Sequence, residues 1–328
     1  MTLLRPLLML AVVVGACFTS MKYSEHHSGT NDGAFELLYM HLIPAPLVVP
    51  HASDEQHASA GEETPSQAQE HAAERLVSIS LPLPAAMDGD PNKAGSQLVL
   101  FNLQIFQIAA VLLVLLAFTG VPAFLKTGRG DALTRVLAGW CMWIRDEMVV
   151  PNMGKENGYK FLPFFLSIFF FIVFMNLMGL VPGSVTPTAS IFVTAALALV
   201  TLIAMLGCGM AVQGPVAYFK NLVPHVPGWM WPLMFLVELM GVLVKPFALM
   251  IRLFANLTGG HMVVLSFMAL IFFFAGNDFS ATGYAVSPIA IGFAVFIMII
   301  EAFVALLQAY IFTQLSIIFV GGSIHPEH

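Results

Sequence analysis

The sequence predicts an all-α polytopic membrane protein of about five membrane segments. It should end in a long tilted helical hairpin and carry an amphipathic interfacial helix and a disordered N-terminal arm. Three observations lead there. Of 328 residues, 58% are hydrophobic and only 10% charged, a balance outside that of soluble domains. Apolar runs of about 20 residues, the length that crosses a hydrocarbon layer ~30 Å thick, recur from residue 98 onward. The charges are segregated: residues 21–97 hold eleven acids against three bases, and residues 126–160 hold six bases against four acids. The excess of bases assigns 126–160 to the cytoplasm and the acidic stretch to the outside. A net charge of −6 argues against a nucleic-acid partner; membrane lipids are the expected surroundings.

The chain divides into a leader (1–20), an extracytoplasmic arm (21–97), a membrane domain (98–320) and a short cytoplasmic tail (321–328). The leader has a base at Arg5, an apolar core over 7–14 and Gly15-Ala16 before Cys17, the pattern of a secretory signal. Cys17 is a candidate site of cleavage or lipidation; the alternative is an uncleaved leader that starts the chain on the outer side. The arm is rich in Ser, Ala, Glu, Gln, Pro and Gly and carries six of the ten histidines (His26, His27, His41, His51, His57, His71). It lacks the apolar content to order itself, apart from a short interfacial helix expected near Phe35. Cys17, Cys141 and Cys208 show neither metal nor disulfide spacing, and neither metal nor cofactor is expected.

Residues 98–125 form a first span without charge until its end. Residues 131–150 alternate Leu133, Val136, Leu137, Trp140, Trp143 and Ile144 with Arg135, Arg145, Asp146 and Glu147, the pattern of a helix lying in the interface. A second span covers 161–180, and Asn176 is its one strongly polar group besides Ser167. A third covers 189–212, led in by Thr186-Pro187-Thr188; Thr194 and Thr201 share a face there and are expected to bond within the bundle. The stretch from 229 to about 275 would reach ~70 Å as one helix, so it either breaks near Gly259-Gly260 or lies steeply tilted. Pro246 and the glycine pair are the expected bend points. The last helix should run from 288 to 319, stopped by Gly321-Gly322, with the N-terminus outside and the C-terminus inside.

The segment from Glu238 to His261 concentrates the chemistry. It holds Glu238, Lys245, Arg252, Asn256 and His261 at a depth where each charge costs about 2.5–3.5 kcal/mol or more. Glu238, Lys245 and Arg252 are seven apart, hence on one slowly drifting face, with Asn256 one turn on. His261 points elsewhere, about 13 Å beyond Arg252. Arg252 keeps its proton at any physiological pH, so it serves as a fixed barrier and not as a proton carrier. On the last helix Glu301 and Gln308 share a face. His261 and Glu301 are expected to meet across the hairpin, since buried ionisable groups must pair or line water.

Lys245-Pro, Ile-Arg252-Leu-Phe-Ala-Asn256 and Gly259-Gly260-His261 resemble the signature of subunit a (subunit 6) of F-type ATP synthases, and the likeness extends from about 98 to 320. It implies a non-catalytic, proton-translocating stator in the Fo sector, placed in a bacterial inner membrane or alternatively a mitochondrial one. The partners implied are a c-ring, peripheral-stalk subunit b near residues 131–150 and the remaining F1Fo subunits. By the same resemblance Arg252, with Gln308 beside it, faces a c-ring carboxylate and separates two half-channels. His261 and Glu301 belong to the outer one. Glu238, with Lys245 and Asn176 as further candidates, belongs to the inner one. Sodium coupling in place of protons, or a secondary transporter, stay as alternatives; the chain shows no inverted repeat of the kind such transporters use.

Overall fold

The computed structural model describes residues 4–23, 78–80, 97–99, 101–128, 130–181, 184, 186–223, 227, 229–275 and 281–324. The arm histidines and the helix expected near Phe35 lie outside the described residues. So does most of the stretch expected to be disordered, except that Ser78–Ser80 (β1) and Gln97–Val99 (β2) pair as two antiparallel strands. Otherwise the described chain is helical, as its composition predicts. It contains six helices long and apolar enough to cross a membrane, one more than the sequence count.

The additional helix is the leader. Helix α1 (Leu4–Tyr23) packs along α2 (Asn102–Phe118), where Ala16 joins Leu103, Phe106, Ala109 and Ala110 in one buried cluster. Nη1 of Arg5 donates to Oγ1 of Thr134 at 2.9 Å and stands 4.0 Å from the Asp131 carboxylate. The start of α1 therefore lies on the side of residues 126–160. This corrects the expectation of a leader starting on the opposite side: a helix antiparallel to α2 takes its basic end to the basic face. Cys17 sits inside α1, half-buried.

A short helix α3 (Val121–Thr127) closes on Gly128, whose φ of 67° lets its N–H reach the Phe124 carbonyl at 2.8 Å. Helix α4 (Ala132–Trp143) passes through a π-helical turn (Ile144–Val149) into α5 (Val150–Gly179), which bends at Gly154 (φ 72°). The interfacial helix and the second span are thus joined end to end where the sequence suggested two pieces. The amphipathic pattern decides the outcome. Ile144, Met148, Val149 and Met153 are buried, while Arg145 turns outward and grips Asp146 through two hydrogen bonds of 2.7 and 2.8 Å. Trp140 stacks on Phe169 and Trp143 leans on Tyr310, tying α4 to the bundle.

A 3-10 turn (Pro187–Ala189) leads into α6 (Ile191–Gln213). Thr194 and Thr201 are buried and donate to carbonyls of their own helix, from Ile191 at 3.0 Å and Leu197 at 3.2 Å, the packing role expected of them. After α7 (Pro215–Asn221) come the two longest elements, α8 (Trp231–Ala275, 45 residues) and α9 (Ala281–Ile324, 44 residues). Each is about 65 Å long at 1.5 Å per residue, and they pack on each other as an antiparallel hairpin.

Neither proline nor glycine interrupts this hairpin. Helix α8 runs unbroken past Pro246 and Gly259-Gly260, and α9 begins before Pro288 and continues through Gly321-Gly322. The glycines serve close approach instead. A Cβ on Gly260 would sit 2.8 Å from Oε1 of Glu301, and one on Gly321 would sit 2.8 Å from the Asn152 backbone carbonyl. Along α8 only a narrow stripe is fully buried, with Leu249, Leu253 and Leu257 one turn apart. Leu236, Val237, Met240, Leu243, Val244, Phe247 and Ile251 stay exposed, a broad apolar face suited to lipid or to another membrane protein.

Candidate functional site

Polar side chains gather at two levels of the α8–α9 hairpin. Near its turn, Nδ1 of His261 lies 3.5 Å from Oε1 of Glu301, the meeting anticipated from the sequence. The Glu301 side chain is 5% exposed as a residue, and Oε1 makes no hydrogen bond among the described residues. Gly260 supplies the room for this carboxyl beside α8. The other ring nitrogen of His261, Nε2, is 2.5 Å from Oγ1 of Thr186, just before the 3-10 turn.

Asn176 belongs to this level too. Its Nδ2 donates to the Ala305 carbonyl, one turn along from Glu301, at 3.2 Å, and its Oδ1 accepts from Oγ1 of Thr188 at 2.7 Å. This corrects its placement with Glu238 in an inner channel. Asn176 is fully buried near the end of α5, and α5 carries it toward the hairpin turn, away from the Glu238 level. Both ends of its amide are used in joining three elements.

At the other level, toward the end of α9, a cavity of about 650 Å³ is lined by Glu238, Lys245, Asn152, Gln213, Asn221 and Ser323 among others. That volume holds roughly twenty waters at ~30 Å³ each. Its wall is braced: Nε2 of Gln213 donates to the Ser323 carbonyl at 2.8 Å, and Nδ2 of Asn221 donates to Oε1 of Gln213 at 3.1 Å. Lys245 extends Nζ to 5.5 Å from the centre of the Phe319 ring, a cation–π distance. Glu238 and Lys245, two turns apart on α8, thus share one polar-lined recess.

Between the levels stands Arg252. It is exposed, and no hydrogen bond or ion pair holds it among the described residues. One turn on, Nδ2 of Asn256 donates to Oε1 of Gln308 at 2.9 Å, and Gln308 is 2% exposed. For Gln308, expected beside Arg252, the hydrogen bond shown is the one to Asn256. Gln308 bonds the amide one turn away, because a buried acceptor takes the donor on the facing stripe, and the guanidinium points outward. Arg252 is about 10 Å along the axis from Lys245 and about 13 Å from His261, so the fixed charge separates the cavity from the His261–Glu301 pair.

The family described as ATP synthase A chain matches residues 104–321. The chain belongs to that family. Among its relatives are proteins named ATP synthase subunit a from Myxococcus xanthus, 42% identical over 187 residues covering 57% of this chain and 59% of the relative, and from Chloroherpeton thalassium, 39% identical over 226 residues covering 67% and 65%. A third, from an Anaeromyxobacter strain, is 35% identical over 262 residues covering 79% and 60%. The chain spans about three-fifths of the length of these relatives.

Glu238, Lys245, Arg252, Asn256, His261, Glu301 and Gln308 lie within the ATP synthase A chain match, as does Asn176, whereas Cys17 and Ser323 lie outside it. Sequence reasoning missed Thr186, Thr188, Asn152, Gln213 and Ser323. Their signal was slight. The two threonines flank Pro187 in what read as a span's lead-in, and the other three are ordinary polar residues near helix ends, where water alone would account for them.

Proposed function

We propose that this chain is the ion-translocating stator subunit of a rotary F-type ATP synthase, carrying protons through two offset half-channels. The observation that carries the reading is the order along α8: a recess of about 650 Å³ at Glu238 and Lys245, a guanidinium at Arg252 unpaired among the described residues, then the half-buried imidazole of His261 beside the buried carboxyl of Glu301. A charge that none of the described residues neutralises, on an apolar outer face, calls for an acidic partner from another protein, since an unpaired guanidinium in lipid is costly. A carboxylate on a rotating c-ring meets that need.

In this mechanism a proton enters from the outer side at the His261–Glu301 pair and passes to the ring carboxyl. After rotation, Arg252 stabilises the ionised ring carboxyl and so displaces the proton into the Glu238 recess, which opens to the cytoplasm. Arg252, never deprotonated, prevents the two chambers from exchanging protons directly. The Asn256–Gln308 bond holds α8 and α9 in register beside it. Each proton releases ~2.3 kcal/mol per 100 mV of membrane potential, so several are needed per ATP, and the chemistry of ATP formation belongs to other subunits. The peripheral stalk would rest on α4, in the membrane of a bacterial cell, with the recess and the end of α9 facing the cytoplasm. Protons, and not sodium ions, fit a pair made of an imidazole and a carboxyl.

Replacement of Arg252 by Ala in the assembled complex tests this reading. ATP synthesis driven by a proton gradient should fall to background while the subunit still copurifies with an oligomeric c-ring. Synthesis at the wild-type rate, or a complex without a ring, would overturn it.

A further inference from the structure

We propose that Thr186 is a positioning residue for the proton relay, holding the His261 ring so that its other nitrogen faces Glu301. The inference rests on the half-channel reading above and adds a group that this reading does not use. Thr186 is 2% exposed, and its hydroxyl has His261 Nε2 as its hydrogen-bond partner, with no other among the described residues. A buried hydroxyl given over to one ring nitrogen settles the orientation of that ring, much as an outer partner settles the orientation of a histidine bound elsewhere.

The geometry constrains what the imidazole does. A neutral imidazole offers one donor and one acceptor. With the proton on Nδ1, the ring faces an ionised Glu301 and Nε2 accepts from the Thr186 hydroxyl. With the proton on Nε2, the ring donates to Thr186 Oγ1 and Nδ1 accepts from a protonated Glu301. The second state holds one proton more than the first: a proton entering at Nε2 accompanies transfer of the Nδ1 proton to Glu301, and because a hydroxyl both donates and accepts, Thr186 keeps its bond in both states. Among the described residues Glu301 is the titratable group facing the ring. The 3-10 turn and the residue before it contribute Thr188 and Thr186, and α5 contributes Asn176, none of which titrates in the working range.

The surroundings are shaped to hold Thr186. Pro187 follows it, and the Ala189 N–H donates to its carbonyl at 3.0 Å, so the backbone is pinned at the start of the turn. Gly179, at the end of α5, leaves the space that the side chain occupies: a Cβ there would lie 2.7 Å from the Thr186 Cβ. Oγ1 of Thr258, one helical turn before His261, accepts nothing from this turn but donates to the Ala189 carbonyl at 3.3 Å, clamping the turn to α8.

The test compares Thr186→Val, Thr186→Ser and Glu301→Gln in the whole ATP synthase complex in inverted membrane vesicles, reading ATP-driven acidification against pH. Val keeps the shape without the hydroxyl; Ser keeps the hydroxyl without the methyl. Thr186→Val should lower the pumping rate about tenfold, the loss of one hydrogen bond to an ionisable ring, and move the pH of half-maximal pumping, while Thr186→Ser returns both to near wild type. Thr186→Ala carries the same comparison if the Val variant does not assemble. Unchanged rate and pH profile in Thr186→Val, or failure of Thr186→Ser to restore them, overturns the assignment. If Glu301→Gln abolishes pumping while Thr186→Val is silent, only Thr186 loses its role; if Glu301→Gln also pumps normally, the half-channel reading itself fails.

Discussion

Single atoms carry much of the behaviour of this hairpin. Gly260 is the clearest case: on sequence grounds a glycine pair beside a histidine reads as a break or bend, but α8 continues through it as one helix, and the missing Cβ admits the Glu301 carboxyl. Replacement of Gly260 by Ala should leave the subunit folded, because the clashing atoms are the mobile end of a side chain. It should nonetheless displace the carboxyl from His261 and slow proton pumping about tenfold, as a displacement well under 1 Å at a reacting group does. The pumping rate in vesicles, normalised to the amount of assembled complex, measures it. Asn176 teaches the reverse lesson. An amide in a span invited a channel role beside Glu238, whereas both its ends are taken up in tying α5, α9 and the Pro187 turn together.

Among the elements, α9 shows that a glycine pair need not stop a helix. Close packing against α5 accompanies its passage through Gly321-Gly322 to Ile324, tertiary context overriding local propensity. Gly321 then becomes the point where α9 meets the Asn152 carbonyl at the start of α5. That neighbour is backbone and cannot swing aside. Gly321→Val should therefore force the helices apart and destabilise the purified subunit by about 1–3 kcal/mol, the usual cost of overpacking. A lower thermal melting temperature in detergent checks this. The join of α4 to α5 through a π-helical turn and Gly154 likewise escaped a reading by periodicity, since the amphipathic and apolar stretches are each regular and only their packing around Trp143 and Tyr310 sets the angle between them.

For the molecule as a whole, the two polar levels should open to opposite sides of the membrane. With Cys17, Cys141 and Cys208 replaced by Ser, a cysteine introduced at Val242, on the wall of the 650 Å³ recess, should react with a membrane-impermeant thiol reagent. Labelling is expected only from the side on which a cysteine at Lys155 reacts. Labelling of Val242→Cys from the other side alone would show that the recess is not the cytoplasmic half-channel. The exposed apolar face of α8, with Arg252 upon it and unpaired among the described residues, is suited to cover by lipid or a second protein.

Sequence by itself determined the class, five of the six membrane-length helices and the family: hydrocarbon enforces helices of a set length, and charges that survive inside it stand out from an apolar background. It also brought Arg252, His261, Glu301, Asn256, Gln308, Glu238 and Lys245 forward, because each is expensive where it sits. Tertiary structure alone decided which of them meet. The partner of Gln308, the level to which Asn176 belongs, the docking of α1 and the hold of Thr186 on His261 are contacts between segments far apart in the chain. No local pattern encodes such contacts, for a threonine before a proline costs nothing in either setting.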